Sequence, residues 1–318
     1  MLAGHWADRV LAPPTGLPPP NIDGYVRAGL LPNFSKAIGT GVFVKCWNRG
    51  QCITPLAMKY LASGSYDVEA APTGSEPYWA FSKGGDLPTI SSACKNTYPN
   101  RKVASFGSDA WMQSGWWKAP DCTMGSFQSY YSDFLTMQQC LAWLCANPDW
   151  SLVLLYLSQY DKTGNCPLLK KDAAYTEDKH HSIQRVDHYL GDVMLFLEES
   201  GLWDETILVV ASDHGCHYGC DVTVREAREH GIPENVLPNY CGSHQAPWDC
   251  LVWDFERARV TEQRSDCARR TTFILTGGAL SAEQKAGARP EAEIVDVPAT
   301  IADVLAINLD CEGRSIFK

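Results

Sequence analysis

Short apolar runs alternate along this chain with longer stretches of helical spacing. Residues 207–211 (Ile-Leu-Val-Val-Ala) are unbroken and rich in β-branched side chains. They predict a central strand buried on both faces, as in parallel sheets. Residues 152–157 predict a second such strand, and 42–46, 103–106 and 272–276 predict further strands. Helices are predicted over 22–28, 32–38, 56–61, 87–93, 130–146, 173–199 and 298–305, several of them stopped by a glycine (Gly29, Gly39, Gly64, Gly201). Strands alternating with helices predict an α/β fold, with a mostly parallel central sheet covered by helices on both faces. The expected organisation is a single domain over 1–318 with a polar excursion inserted around 216–270. Residues 67–87 and 108–128 read as irregular.

The ends of the predicted strands carry the candidate chemistry. The 207–211 strand runs into Ser212-Asp213-His214-Gly215, and the 152–157 strand runs into a loop carrying Asp161. Open α/β sheets bind ligands at the carboxyl ends of their strands. Thr54 lies just before a predicted helix with Pro55 at its first turn, where the helix dipole favours an anion. His244 lies in the small-residue loop Cys241-Gly-Ser-His-Gln245. A hydroxyl, carboxylates and imidazoles together suit metal-assisted attack on a phosphate or sulfate ester.

Composition narrows this picture. The formal charge is −10 and no Lys/Arg-rich stripe is present, which argues against nucleic acid as a partner. No apolar run is long enough for a membrane span. His5, Trp6 and Asp8 stand where a secretory signal would need a basic start and an apolar run, so the expected compartment is the cytoplasm, with reduced thiols. The 13 cysteines include no Cys-x-x-Cys pair. Cys216 and Cys220 flank His217 and invite a structural-metal reading, but without a second pair they are expected to be free or locally paired thiols. Trp111, Trp116 and Trp117 are expected in the core.

With these residues in view, the chain resembles the alkaline phosphatase superfamily, on its nucleotide pyrophosphatase/phosphodiesterase and sulfatase-like side. The resemblance runs over nearly the whole length. It rests on the stretch 206–215 ending in Ser-Asp-His-Gly, on Val186-Asp187-His-Tyr-Leu-Gly191, on Phe273-Ile-Leu-Thr-Gly-Gly278, and on the terminal stretch 294–305 followed by Glu312-Gly-Arg-Ser315.

The resemblance implies a metal-dependent hydrolase of small phosphate esters with a covalent phospho-enzyme and two divalent ions, zinc or manganese. The nucleophile precedes a helix ending in a Thr-Gly or similar pair. Thr54 takes that place, ahead of Ser63-Gly64, with Cys52 as the rival. Cys52 lacks the sulfatase Cys-x-Pro-x-Arg pattern. The implied ligands are Asp213, His214 and Thr54 for one ion, and Asp161 and His244 for the other, with Asn165 standing where the family has a histidine. His180 and His181 are the substitutes at hand for that histidine. The family's first Asp-Gly ligand matches Asp23-Gly24 by letters and Thr15-Gly16 by register, and both stay open. The alternatives are a non-catalytic relative that binds a phosphorylated ligand or partner, and a sulfatase-like hydrolase.

Overall fold

The fold is described from a computed structural model, covering residues 22–67, 88–109, 117–125, 132–164, 179–217, 219–229, 231–235, 244 and 246–318. In chain order the helices α1 (Ile22–Arg27) and α2 (Pro32–Thr40) lead into strand β1 (Val42–Trp47). Then come α3 (Thr54–Ser63), α4 (Ile90–Thr97), β2 (Lys102–Gly107), β3 (Cys122–Gly125), α5 (Ser132–Ala146), β4 (Trp150–Tyr156) and α6 (Gln159–Gly164). The chain continues through α7 (Lys179–Glu199), β5 (Leu208–Ala211), α8 (Asp221–Glu229) and the hairpin strands β6 (Cys250–Asp254) and β7 (Arg259–Ser265). It ends with β8 (Arg270–Thr276), α9 (Ala282–Gly287), β9 (Glu291–Glu293) and α10 (Asp296–Val304).

The architecture is α/β, as the alternation predicts, with mixed and parallel sheets. One sheet has the order β5-β8-β1-β9 and another the order β3-β2-β4. β2 is parallel to β3 and β4, and β1 is parallel to β9, whereas β8 runs antiparallel to both β1 and β5. The apolar runs are unbroken because alternate side chains enter different cores. Val209 and Ala211 of β5, Phe273 and Leu275 of β8, and Leu152, Leu154 and Tyr156 of β4 face one core. Leu208, Val210, Ile274 and Leu155 face the other, under α1, α2 and α7. Among the described residues β5 pairs only with β8, and its four residues are half-buried. That corrects the expectation of a fully buried central strand.

Three further expectations change. The 108–128 stretch contains β3, and Trp117 is buried while Trp111 and Trp116 lie outside the described residues. The predicted 87–93 helix is α4, shifted towards the C-terminus because Thr89 and Ser92 form a reciprocal capping box. Asp161 sits on a short helix, α6, rather than in a loop. The reason is a long-range cap: the buried Asp133 carboxylate of α5 accepts from the backbone N–H of Ser158 at 2.9 Å and of Gln159 at 3.2 Å.

A second long-range cap fastens α2, whose N-cap residue Leu31 offers no side-chain acceptor. The Asp187 carboxylate on α7 accepts from Phe34 N at 2.8 Å and from Asn33 N and Nδ2 at 3.3 and 3.0 Å. Gly191, one turn on, lets the helices approach, since a Cβ there would lie 2.7 Å from the Asn33 side chain. Replacing Asp187 by Ala strands these donors in a buried interface. We expect a loss of about 2–3 kcal/mol in unfolding free energy, measurable by urea denaturation. A wild-type midpoint in Asp187→Ala would contradict this account of the α2–α7 contact.

Candidate active site

Thr54 opens α3, every residue of which is buried. The helix ends at Gly64 in the left-handed conformation (φ 72°), with its N–H donating to Tyr60 O at 2.8 Å. The chain's C-terminal segment locks this end: Glu312 and Gly313 N–H groups donate to Gly64 O, and the Glu312 carboxylate accepts from Ser65 Oγ at 2.7 Å.

At the start of α3 the Thr54 hydroxyl lies 3.0 Å from His214 Nε2. His214 Nδ1 is 2.9 Å from the Gly215 carbonyl, and His244 Nδ1 is 2.9 Å from the Cys52 carbonyl. A carbonyl only accepts, so each Nδ1 carries a proton and each ring directs its Nε2 at the site. The two rings stack with centroids 4.1 Å apart. His214 Nε2 lies 3.4 Å from Asp213 Oδ2, and His244 Nε2 lies 3.7 Å from Asp161 Oδ1. Asp161, His214 and His244 offer ligand atoms that all lie within 4.8 Å of one another.

The structure thus brings Thr54, Asp161, Asp213, His214 and His244 into one constellation. The cluster of Asp161, His214 and His244 crosses the division into two ligand sets expected from the sequence. Asn165 and Thr15 lie outside the described residues, as does the side chain of His180, and His181 is exposed on α7. Asp23 sits on α1, with its charged neighbours Arg27 and Arg270 rather than the histidines, and burial raises its pKa.

The donor set fits a divalent ion. Imidazole nitrogens and carboxylate oxygens are ligands for zinc-like metals. Two ligands at ~2.1 Å around a tetrahedral ion stand roughly 3.4 Å apart, close to the spacings above. The electrostatics agree. Burial raises the Asp213 pKa, the Asp161 charge raises it further, and His214 lowers it in part. Tyr156, buried at the end of β4, has its phenol pushed well above its ordinary value by burial and then by Asp213 and Asp161. A cation would relieve this concentration of buried negative charge.

Cys52 is fully buried, and burial pushes its thiol up to about 12. It is therefore protonated at neutral pH and a poor nucleophile. Its visible part in the site is the carbonyl that orients His244.

Two positioning residues were missed in the sequence. The buried Asn48 amide donates to Asp213 O at 3.0 Å and to Gln51 O at 3.2 Å, and its Oδ1 accepts from Gly50 N at 2.9 Å. It ties the loop before Thr54 to the end of β5. The Arg269 guanidinium donates to the Asn48, Arg49 and Gly50 carbonyls of the same loop. The Asn-x-Gly turn at 48–50 was the available signal, since Gly50 lies where a Cβ would meet the Tyr60 ring at 2.6 Å.

A second cluster lies in the excursion, where His217, Cys220 and Cys250 are all buried and offer ligand atoms within 4.8 Å of one another. Burial opposes ionisation of Cys220, but hydrogen bonds from Cys250 and His217 outweigh it and bring the thiol down to about 5. Cys216 and Cys220 form no disulfide. The spacing did not reveal the third member of the cluster, Cys250, which comes from β6, and Cys216 is not in the set.

A family model for type I phosphodiesterase / nucleotide pyrophosphatase matches residues 67–247, more than half of the chain. The chain belongs to this family. Through it the protein is a member of the alkaline phosphatase superfamily. No curated protein matches the chain. Among solved structures, murine ectonucleotide pyrophosphatase / phosphodiesterase 5, an inactive form in complex with AMP, is similar at 13% identity, covering 89% of this chain and 92% of that chain with a TM-score of 0.58. The human form of that protein is similar at 15% identity, covering 90% and 92% with a TM-score of 0.57. The lipoteichoic acid synthase LtaP from Listeria monocytogenes is similar at 13% identity, covering 91% and 68% with a TM-score of 0.53. These likenesses show the shared fold. No helix among the described residues is long and apolar enough to cross a membrane.

The raised Asp213 pKa has a signed consequence. The metal-free folded state binds a proton at Asp213 more tightly than the unfolded chain does. Stability therefore falls as pH rises from about 4 through the folded pKa, and the penalty is full above it. In metal-free protein at neutral pH, Asp213→Asn should raise the melting temperature by roughly 2 °C or more, with the gain fading towards pH 4. Scanning calorimetry across that range checks it. A neutral-pH loss in Asp213→Asn would contradict the assignment of Asp213 as a buried, strained carboxylate.

Proposed function

We propose that this phosphodiesterase-family protein hydrolyses small phosphate esters, phosphodiesters or phosphomonoesters, with Thr54 as nucleophile. The observation that carries the reading is the 3.0 Å contact between the Thr54 hydroxyl and His214 Nε2, inside the Asp/His cluster and at a helix start. Asp213, His214 and Thr54 are proposed to hold one divalent ion, zinc or manganese, and Asp161 and His244, with the Asn165 carbonyl, a second. Such ions lower the pKa of a nearby hydroxyl and oppose the negative charge that builds on a phosphoryl group.

The chain's own residues do the rest. The Thr54 oxygen forms a bond to phosphorus as the ester bond to the leaving alcohol breaks. The developing charge faces the positive end of α3. Asn48 and Arg269 hold the 48–50 loop, and so the register of the hydroxyl against His214. Water then attacks the phosphothreonine on phosphorus, releasing phosphate or a phosphomonoester and restoring the hydroxyl.

The murine relative is inactive with a threonine replaced by alanine, and in that form it holds AMP. This supports both a threonine nucleophile and a nucleotide-like substrate. The sulfatase-like alternative is less supported, because the Cys52 thiol is held protonated. The cytoplasm, expected from the sequence, is part of the same proposal.

The test is hydrolysis of bis-p-nitrophenyl phosphate and a p-nitrophenyl nucleoside monophosphate by protein supplied with zinc or manganese. Wild type should turn over, and Thr54→Ala should lose roughly 10³-fold or more in kcat/KM. Equal activity in Thr54→Ala would remove Thr54 from the role of nucleophile. A silent wild type with both metals would favour a non-catalytic binder of phosphorylated ligands.

A further inference from the structure

The second cluster lies outside the reaction proposed above. His217 and Cys220 are fully buried, and Cys250 and Cys267 are 5% exposed. His217 Nδ1 stands 3.1 Å from Cys250 Sγ, and the ligand atoms of His217, Cys220 and Cys250 lie within 4.8 Å of one another. Cys267 stands outside this set of mutually close ligand atoms. It follows β7, whose last residue Ser265 pairs with Cys250 across the hairpin. We infer that His217, Cys220 and Cys250 form a structural site for a thiophilic divalent ion, zinc above all, at the base of the excursion.

Chemistry and position both support this. One imidazole and two thiolates are a soft ligand set of the kind that holds zinc. The surrounding hydrogen bonds fit an outer shell that orients ligands. Thr223 Oγ1 lies 3.9 Å from Cys220 Sγ and also donates to Cys220 O at 2.9 Å, while the Asp221 carboxylate accepts from Leu251 N at 2.8 Å.

The three residues also mark three points of the excursion. His217 follows the Asp213-His214 motif, Cys220 precedes α8, and Cys250 opens β6. An ion there would close the excursion on itself. Because Gly215 N donates to Ala268 O at 2.7 Å, it would also brace the segment that carries His214. The binding free energy of such an ion is folding free energy for the segment it closes.

Cobalt(II) substitution of the full chain tests this without depending on the Thr54 reading. The proposed catalytic set has no sulfur, so only the second site gives thiolate-to-cobalt charge-transfer absorption in the near ultraviolet. We expect that band in wild type and an undiminished band in His244→Asn. Cys250→Ser should lose the band and about one zinc per chain by elemental analysis. If Cys250→Ser does not fold, Cys250→His keeps a ligand, so it should retain zinc while the cobalt spectrum shifts. The proposal is overturned by wild type without the band, by a band indifferent to Cys250, or by a Cys220–Cys250 disulfide in the intact mass of freshly purified protein.

Discussion

Thr54 and His214 come from opposite halves of the chain and meet at 3.0 Å. The rest of the site depends on holding that contact. Neither residue controls the distance alone. Thr54 is fixed by a helix buried on every side and locked at its far end by Gly64 and the C-terminal segment. His214 is fixed by β5 and by its own Nδ1 contact with the Gly215 carbonyl. Asn48 joins the two, because its amide reaches both the loop before Thr54 and the carbonyl of Asp213. Arg269 gathers three carbonyls of that loop. A small shift in any of these would open the contact, and well-oriented groups lose much of their effect with a displacement of about 1 Å.

The same arrangement is costly to the fold. Two carboxylates stand near each other in a largely buried site, and burial raises the Asp213 pKa. Without a cation the charge is under-compensated. This is the pattern expected where a site is built for a ligand rather than for stability. The stabilising devices sit elsewhere, in the Asp187 and Asp133 carboxylates that cap distant helices and in the two cores flanking the sheets.

Much of the architecture was legible because its physics is local. Apolar runs such as 152–157 and 207–211 reveal strands that feed two cores, and Gly64 and Pro55 frame α3. The ends of those strands gave Asp161, Asp213 and His214, and the family resemblance placed Thr54 and His244. What stayed hidden depends on contacts distant in sequence. Asp161 lies on a helix because Asp133 caps it from another element. β5 is half-buried because it pairs with β8 alone among the described residues. Cys250 joins His217 only because a hairpin folds back onto α8. No spacing rule links residues that far apart.

The central claim is that the Thr54 oxygen carries the phosphoryl group during turnover. The most direct measurement is acid quenching of metal-loaded protein during hydrolysis of p-nitrophenyl phosphate, followed by intact mass and peptide mapping. The account predicts a phosphoryl adduct on the peptide containing Thr54, absent from Thr54→Ala. Turnover with no adduct, or with an adduct on Cys52 or any other residue, would contradict it.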